Sequence, residues 1–321
     1  MNSARSFLAG LVMAGLIATG NATAQSYPSR MVTLVVPGPA GSTPDLLARL
    51  FAERLRPILG QDFIVENRPG AGGTLGAEFV ARAAPDGHVL LCTVEWLFFS
   101  HLLHKKLTFD PHAFEPVSVL AKYPLILIGR SDLPVSSVAE LIPYARAHPG
   151  KLNYASSGKG SMHQLVYEGI KKQAHIDLTH VPYRGGPLAM NDLLAGHVDI
   201  SLTSLNQGAP YVRDGKLKLL GIVSHTRLPD FPDAPALTEV LPGLEADAWT
   251  GIAAPPRTPK EITRKLSEAI ARIVQMPDLR MRFSELLLEP VGSTPEQMMA
   301  MVHKDAERWA PVIAAAKISV D

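Results

Sequence analysis

Cysteine is nearly missing from this 321-residue chain and occurs once, as Cys92. One thiol forms no intramolecular disulfide and founds no cysteine-based metal centre, so stability has to come from apolar packing. Cys92 lies inside the apolar run Val89-Leu90-Leu91-Cys92-Thr93, which predicts a buried core thiol and not a nucleophile. Excess charge of one sign is also missing: 31 Lys+Arg against 30 Asp+Glu leave a formal net charge of +1. That balance excludes the basic footprint of a nucleic-acid or acidic-membrane binder. Long apolar runs are confined to residues 7–18, too short and too soon followed by Gly20 and Asn21 to span a bilayer.

That run belongs to a different pattern. Arg5, the apolar stretch and the exit Ala22-Thr23-Ala24 read as a secretory signal over residues 1–24, with a mature chain starting near Gln25. The chain is expected to be exported and soluble. No cysteine stands directly after the cleavage site, so no lipid anchor is expected.

About 300 residues remain, enough for two domains. Strand-like and helix-like stretches alternate through them, which predicts α/β layers with largely parallel sheets. Strands are expected at 33–36, 62–66 and 88–94, with helices at 44–58 and 74–83 between them. A second set begins at 125–128 and runs through helices at 138–147, 162–173 and 188–194 to strands at 152–155, 177–181, 198–203 and 217–223. A proline-rich stretch follows, and then three helical segments to residue 317. Strands 116–120 and 217–223 bracket the middle block and are expected to cross between two lobes. The first lobe would then be discontinuous, 25–123 with 224–321, and the second would be 124–223. Two open α/β lobes whose strands end toward each other enclose a cleft.

Three loops share one form, in which a strand runs through small residues into a helix. They are residues 39–45 (Pro39, Ala40, Gly41, Ser42, Thr43, Pro44, Asp45), 155–161 (with Ser156, Ser157 and Gly158) and 182–187 (with Tyr183, Arg184 and Gly185). In the first, Thr43 has N-cap chemistry and Pro44 suits the first helical position. Free amides at a helix start, with the helix dipole behind them, favour an anion.

Catalytic and cofactor chemistry finds less support. The loops carry no phosphate-loop pattern, and Gly70-Ala71-Gly72-Gly73 completes no dinucleotide fingerprint; it reads as a turn before a helix, so no cofactor is expected. Ser156 and Ser157 lie on a strand-to-helix turn without Gly-x-Ser-x-Gly, and nothing in the spacing brings His163 and Asp199 to them. His101-x-x-His104 lacks a third ligand at a recognised spacing, so no metal site is expected. The reading is a binding protein, not an enzyme.

Long, unusual stretches carry a resemblance that covers the whole mature chain. Tyr27-Pro28-Ser29-Arg30, Val65-Glu66-Asn67-Arg68-Pro69-Gly70-Ala71-Gly72-Gly73, Ala84-Pro85-Asp86-Gly87, Asn153-Tyr154-Ala155-Ser156-Ser157-Gly158 and His180-Val181-Pro182-Tyr183-Arg184-Gly185 are similar to segments of the Bug family. That family comprises the extracytoplasmic solute receptors of tripartite tricarboxylate transporters. The resemblance implies a periplasmic protein with two lobes of the type II-like, flytrap kind, each a mainly parallel sheet flanked by helices. It also implies a small organic carboxylate as ligand, held in the first strand–helix loop, and membrane transporter subunits as partners. Ser42 and Thr43 are the preferred hydroxyl contacts, with Ser156, Ser157 and Tyr183 opposite. His163, Arg184 and Asn206 complete the expected lining, and Asp45 is expected either to order its loop or to bind a donor on the ligand.

One segment departs from the family pattern. Where the receptors carry small polar residues after the third strand, this chain has Val94-Glu95-Trp96-Leu97-Phe98-Phe99-Ser100. Two readings stand: the aromatics pack beneath the cleft, or the segment lines it and Trp96 or Phe98 stacks on a ring or bounds an apolar tail. Glu95 is expected to repel a second carboxylate and attract an amino group, which favours an aromatic or amino-containing carboxylate over a polycarboxylate. Two rival roles stay open at this stage: a receptor for a membrane kinase, and a periplasmic hydrolase on a similar scaffold.

Overall fold

The computed structural model describes residues 27–104 and 106–316. The secretory signal expected at residues 1–24 lies outside them. The chain begins with strand β1 (Val32–Val36), helix α1 (Thr43–Leu59), β2 (Phe63–Asn67), α2 (Thr74–Ala81) and β3 (Val89–Val94). A 3-10 segment, Glu95–Leu102, leads on to the long strand β4 (Glu115–Arg130). Then follow α3 (Val138–Ala147), β5 (Asn153–Ser156), α4 (Met162–Ala174), β6 (Thr179–Pro182), α5 (Gly186–Leu194), β7 (Ile200–Ser204), α6 (Leu205–Arg213) and β8 (Leu217–Val223). The last part is α7 (Leu237–Val240), β9 (Asp247–Ala254), α8 (Lys260–Ile273), α9 (Pro277–Glu285), β10 (Glu289–Pro290) and α10 (Pro295–Ala316).

Two sheets share β4. Its first half pairs antiparallel with β9 and, at Ala121 and Lys122, with β10. Its second half, from Leu125 to Gly129, pairs antiparallel with β7 on one side, and from Leu125 to Arg130 with β8 on the other. The first sheet continues from β9 through β3 to β1 and β2, the last three mutually parallel. The second continues from β7 to β5 and β6, also parallel. Pro124, which has no N–H to give a ladder, stands at the changeover. Register shifts beside Pro116 and Val119 bend the strand before it.

The strand at 217–223 was expected to cross between lobes. It stays with the second sheet as β8, and the return crossing lies in the stretch between β8 and β9. The separate strands expected at 116–120 and 125–128 are one strand.

The strands read as continuous apolar runs because both sheet faces are covered. In β1, Val32, Leu34 and Val36 join the core under α1 with Leu47, Phe51 and Leu55, while Val35 faces Ala77 and Val80 of α2. In β4, Leu125 and Leu127 join that first core, while Ile126 and Ile128 pack on Ala189, Met190 and Leu193 of α5. Period-two alternation thus loads two cores from one strand. Cys92 is fully buried on the α1 side of β3, as expected of a core thiol.

Because Leu127 is fully buried at the strand both sheets share, Leu127→Ala should destabilise the protein by about 2–5 kcal/mol. Urea unfolding checks this; a loss below about 1 kcal/mol would mean that the shared strand is not a tightly packed core element.

Candidate ligand-binding site

A cavity of about 480 Å³ lies between the two sheets, at the carboxyl ends of β1, β2, β3, β5, β6 and β7. Each of those strands runs into a loop that contributes lining residues, because a βα turn places the following helix start beside the strand's end. Five helices begin there: α1 at Ser42 and Thr43, α2 at Gly73, α4 at Ser161 and Met162, α5 at Gly185 and Gly186, and α6 at Ser204. First-turn amides have no intrahelical acceptor, so these starts present donors and the positive ends of their dipoles.

From the first lobe, Pro39, Ser42, Thr43, Glu95 and Trp96 line the cavity. From the second come Ser157, Gly158, His163, Tyr183, Arg184 and Gly185. Ala40, Gly41, Asp45, Ser156 and Asn206, also expected at the ligand, do not line it.

Most of these exceptions have a visible structural task. Asp45 accepts hydrogen bonds from the Gly41 N–H (3.0 Å), Asn67 Nδ2 (3.0 Å) and Arg49 Nη2 (2.9 Å). Burial raises its pKa, but those donors and the Arg49 charge outweigh it and hold the carboxyl below its usual range. Asp45 therefore orders its loop. Ser156 is fully buried; its hydroxyl meets His180 Nε2 at 2.6 Å and the Gly158 N–H and carbonyl. It folds the second loop from behind. Gly41 takes the left-handed conformation and its carbonyl accepts from Gln207 Nε2 at 2.8 Å.

The cap of α1 falls one residue earlier than the sequence suggested. Ser42, not Thr43, is the N-cap, and its hydroxyl makes no capping bond. The Thr43 hydroxyl is taken instead by the other lobe: it meets Ser204 Oγ at 2.7 Å and donates to Asn206 Oδ1 at 3.2 Å. With Gln207 on Gly41, these contacts bridge the two lobes beside the cavity. Close packing completes the seam, since a Cβ at Gly185 would stand 2.4 Å from Pro39 Cγ and one at Gly72 2.9 Å from the Lys159 carbonyl. Only glycine allows that approach.

Two polar atoms at the cavity are buried without a partner, Ser42 Oγ and His163 Nδ1. Burial pushes the His163 imidazole down to about 4, so it is neutral at physiological pH. Lys159 and Arg184 bring two exposed cations to the rim.

Glu95 is the one acidic residue among the described lining residues. It is buried, and Oε2 accepts the Trp249 backbone N–H at 3.2 Å. Burial raises its carboxyl to about 8, with a contribution from Asp305, against the opposing hydrogen bonds. The expectation that Glu95 attracts an amino group as an anion is therefore corrected: at neutral pH it is mostly protonated. The aromatic pair divides as well. Trp96 lines the cavity, whereas Phe98 packs behind it against Trp249, with ring centroids 6.1 Å apart. Tyr183 lines the cavity, but its hydroxyl donates to Asp192 Oδ2 at 2.6 Å and is not aimed at a ligand.

Sequence reasoning missed Ser204, Gln207 and Tyr123, and it treated Gly70–Gly73 only as a turn although that loop lines the cavity. Thr203-Ser204 before a helix was the same signal as the three recognised loops. It went unread because Gly208 and Pro210 mask α6.

The family model described as the tripartite tricarboxylate transporter family receptor matches residues 47–318. Among solved structures, the periplasmic binding protein BugD is 33% identical with a TM-score of 0.86, covering 91% of this chain and 99% of its own. A Rhodopseudomonas palustris protein solved with adipate is 34% identical with a TM-score of 0.87, covering 91% and 99%. MatC from Rhodopseudomonas palustris, with bound malate, is 35% identical with a TM-score of 0.84, covering 89% and 100%. The cleft between two α/β lobes is thus that of a solute receptor, and the chain belongs to the tripartite tricarboxylate transporter receptor family.

Proposed function

We propose that this chain is a periplasmic receptor that closes over a small organic carboxylate, bound without chemical change, and delivers it to the membrane subunits of a tripartite transporter. The observation that carries this reading is the charge of the cavity. Five helix starts and two rim cations face it, while Glu95, the one acid among its described lining residues, is mostly uncharged at neutral pH. Fixed dipoles of that sign favour an anion in a site shielded from water. Ser42, whose hydroxyl has no partner within the protein, and the first-turn amides of α1 would hold the carboxylate. The relatives solved with adipate and malate fit this ligand class.

The arrangement of serines and histidines supports binding over hydrolysis. The serine that pairs with a histidine is Ser156, which is fully buried and outside the lining. Ser157, which does line the cavity, has no histidine hydrogen-bonded to it among the described residues.

Calorimetric titration with small mono- and dicarboxylates and with their amides tests the reading. The best carboxylate should bind at least about tenfold tighter than its amide, one anion contact's worth, and should be recovered unchanged. Equal affinity for acid and amide, or turnover of a carboxylate ester, would contradict it. In this reading the contacts between the lobes act as a latch on the closed form, which gives a second test. Thr43→Val removes the bonds to Ser204 and Asn206 from the closed form only, about 1–2 kcal/mol, or roughly five- to thirtyfold in ligand affinity. Small-angle scattering of the unliganded variant should show a more open molecule than the wild type; an unchanged profile would count against the latch.

A further inference from the structure

Glu95 closes the hinge side of the cavity, beside Tyr123 of β4 and Ala248 of β9, and is only 3% exposed. Its surroundings are unlike those of a charged binding residue. Trp249, itself fully buried, holds two acids at once: its backbone N–H goes to Glu95 and its indole Nε1 donates to Asp305 Oδ2 at 2.8 Å. Among the described residues, no Lys, Arg or His forms an ion pair with Glu95.

Among the described residues, the ionisable groups that face it are Asp305 from α10 and Tyr123 from β4, whose hydroxyl is bonded to Thr250 Oγ1 at 3.0 Å. Across the cavity stand the neutral His163 on α4 and, at the exposed rim, Lys159 and Arg184. A buried carboxyl with a carboxylate neighbour and no cation keeps its proton. In that form it is a hydrogen-bond donor.

Apolar side chains share the lining with Glu95 and the helix starts: Val94, Trp96, Leu125, Met162 and several prolines. Glu95 is thus an uncharged donor in a cavity that also offers apolar surface and helix-start amides.

We propose that Glu95, as a carboxylic acid, is the specificity contact for the far end of the ligand, donating a hydrogen bond to an uncharged acceptor such as a carbonyl oxygen. The preferred ligand is then a monocarboxylate with an apolar or aromatic body against Trp96 and a carbonyl-type oxygen at the other end. A distal ammonium meets no anion there. A second carboxylate loses its contact once Glu95 ionises. This inference rests on the carboxylate reading above.

The test is calorimetric titration of the mature protein with 4-oxopentanoate, 5-oxohexanoate and 6-oxoheptanoate. The controls are pentanoate, hexanoate and heptanoate, together with 5-aminopentanoate and 6-aminohexanoate, all at about pH 6.5 and about pH 9.5. At the lower pH the best oxo acid should bind about tenfold tighter than its unsubstituted counterpart. With the Glu95 carboxyl titrating at about 8, that ratio should collapse at the higher pH. Glu95→Gln keeps a donor that does not titrate, so it should retain the ratio at both. The inference is overturned if the wild-type ratio is absent at the lower pH or persists at the higher, or if the amino acids bind tightest. No binding by any carboxylate would overturn the carboxylate reading and this inference with it, whereas binding without the ratio overturns this inference alone.

Discussion

One strand, β4, divides its backbone hydrogen bonds between two sheets, giving β9 and β10 its first half and β7 and β8 its second. The division happens at Pro124, where a missing N–H makes a change of partner inexpensive. With the sheets joined in this way, the parallel strands of each end at a common space. Every βα turn of the first three strands and of β5, β6 and β7 then contributes to one cavity. The site is a consequence of topology before any particular side chain is considered.

The same topology sets the electrostatics. Helices that follow parallel strands begin at the strands' carboxyl ends, so their positive poles meet in the cleft. An anion site arises without a dedicated buried ion pair, which suits reversible capture. Side chains that could spoil it are kept away or uncharged. Asp45 is turned into its own loop by Gly41, Arg49 and Asn67, and burial keeps a proton on Glu95. The contacts that bridge the lobes are neutral too, hydroxyl and amide groups of Thr43, Ser204, Asn206 and Gln207, each of modest strength.

Much of this was legible in the chain because its signals are local. Strand, small residues and helix start follow one another within a few positions at residues 39–45, 155–161 and 182–187, and all three loops reach the cavity. What stayed hidden depends on contacts distant in sequence. The strand Asp247–Ala254, composed largely of small residues, has little strand propensity of its own. It forms because β3 and β4 offer hydrogen bonds on both sides, and Gly251 is needed where a Cβ would stand 2.8 Å from the Ser118 carbonyl. The acid at position 95 was read as a charge because sequence shows neither its burial nor Asp305, 210 residues further on. Likewise, Thr43 looked like a cap because nothing nearby announces Ser204.

The most direct measurement is a crystal structure of the protein with the carboxylate that binds it most tightly. The account predicts closed lobes, with the carboxylate at the first turn of α1, in contact with Ser42 directly or through one water, and the rest of the molecule directed past Trp96 toward Glu95. A carboxylate held instead by Lys159 and Arg184 at the rim, with an apolar end against α1, would contradict it.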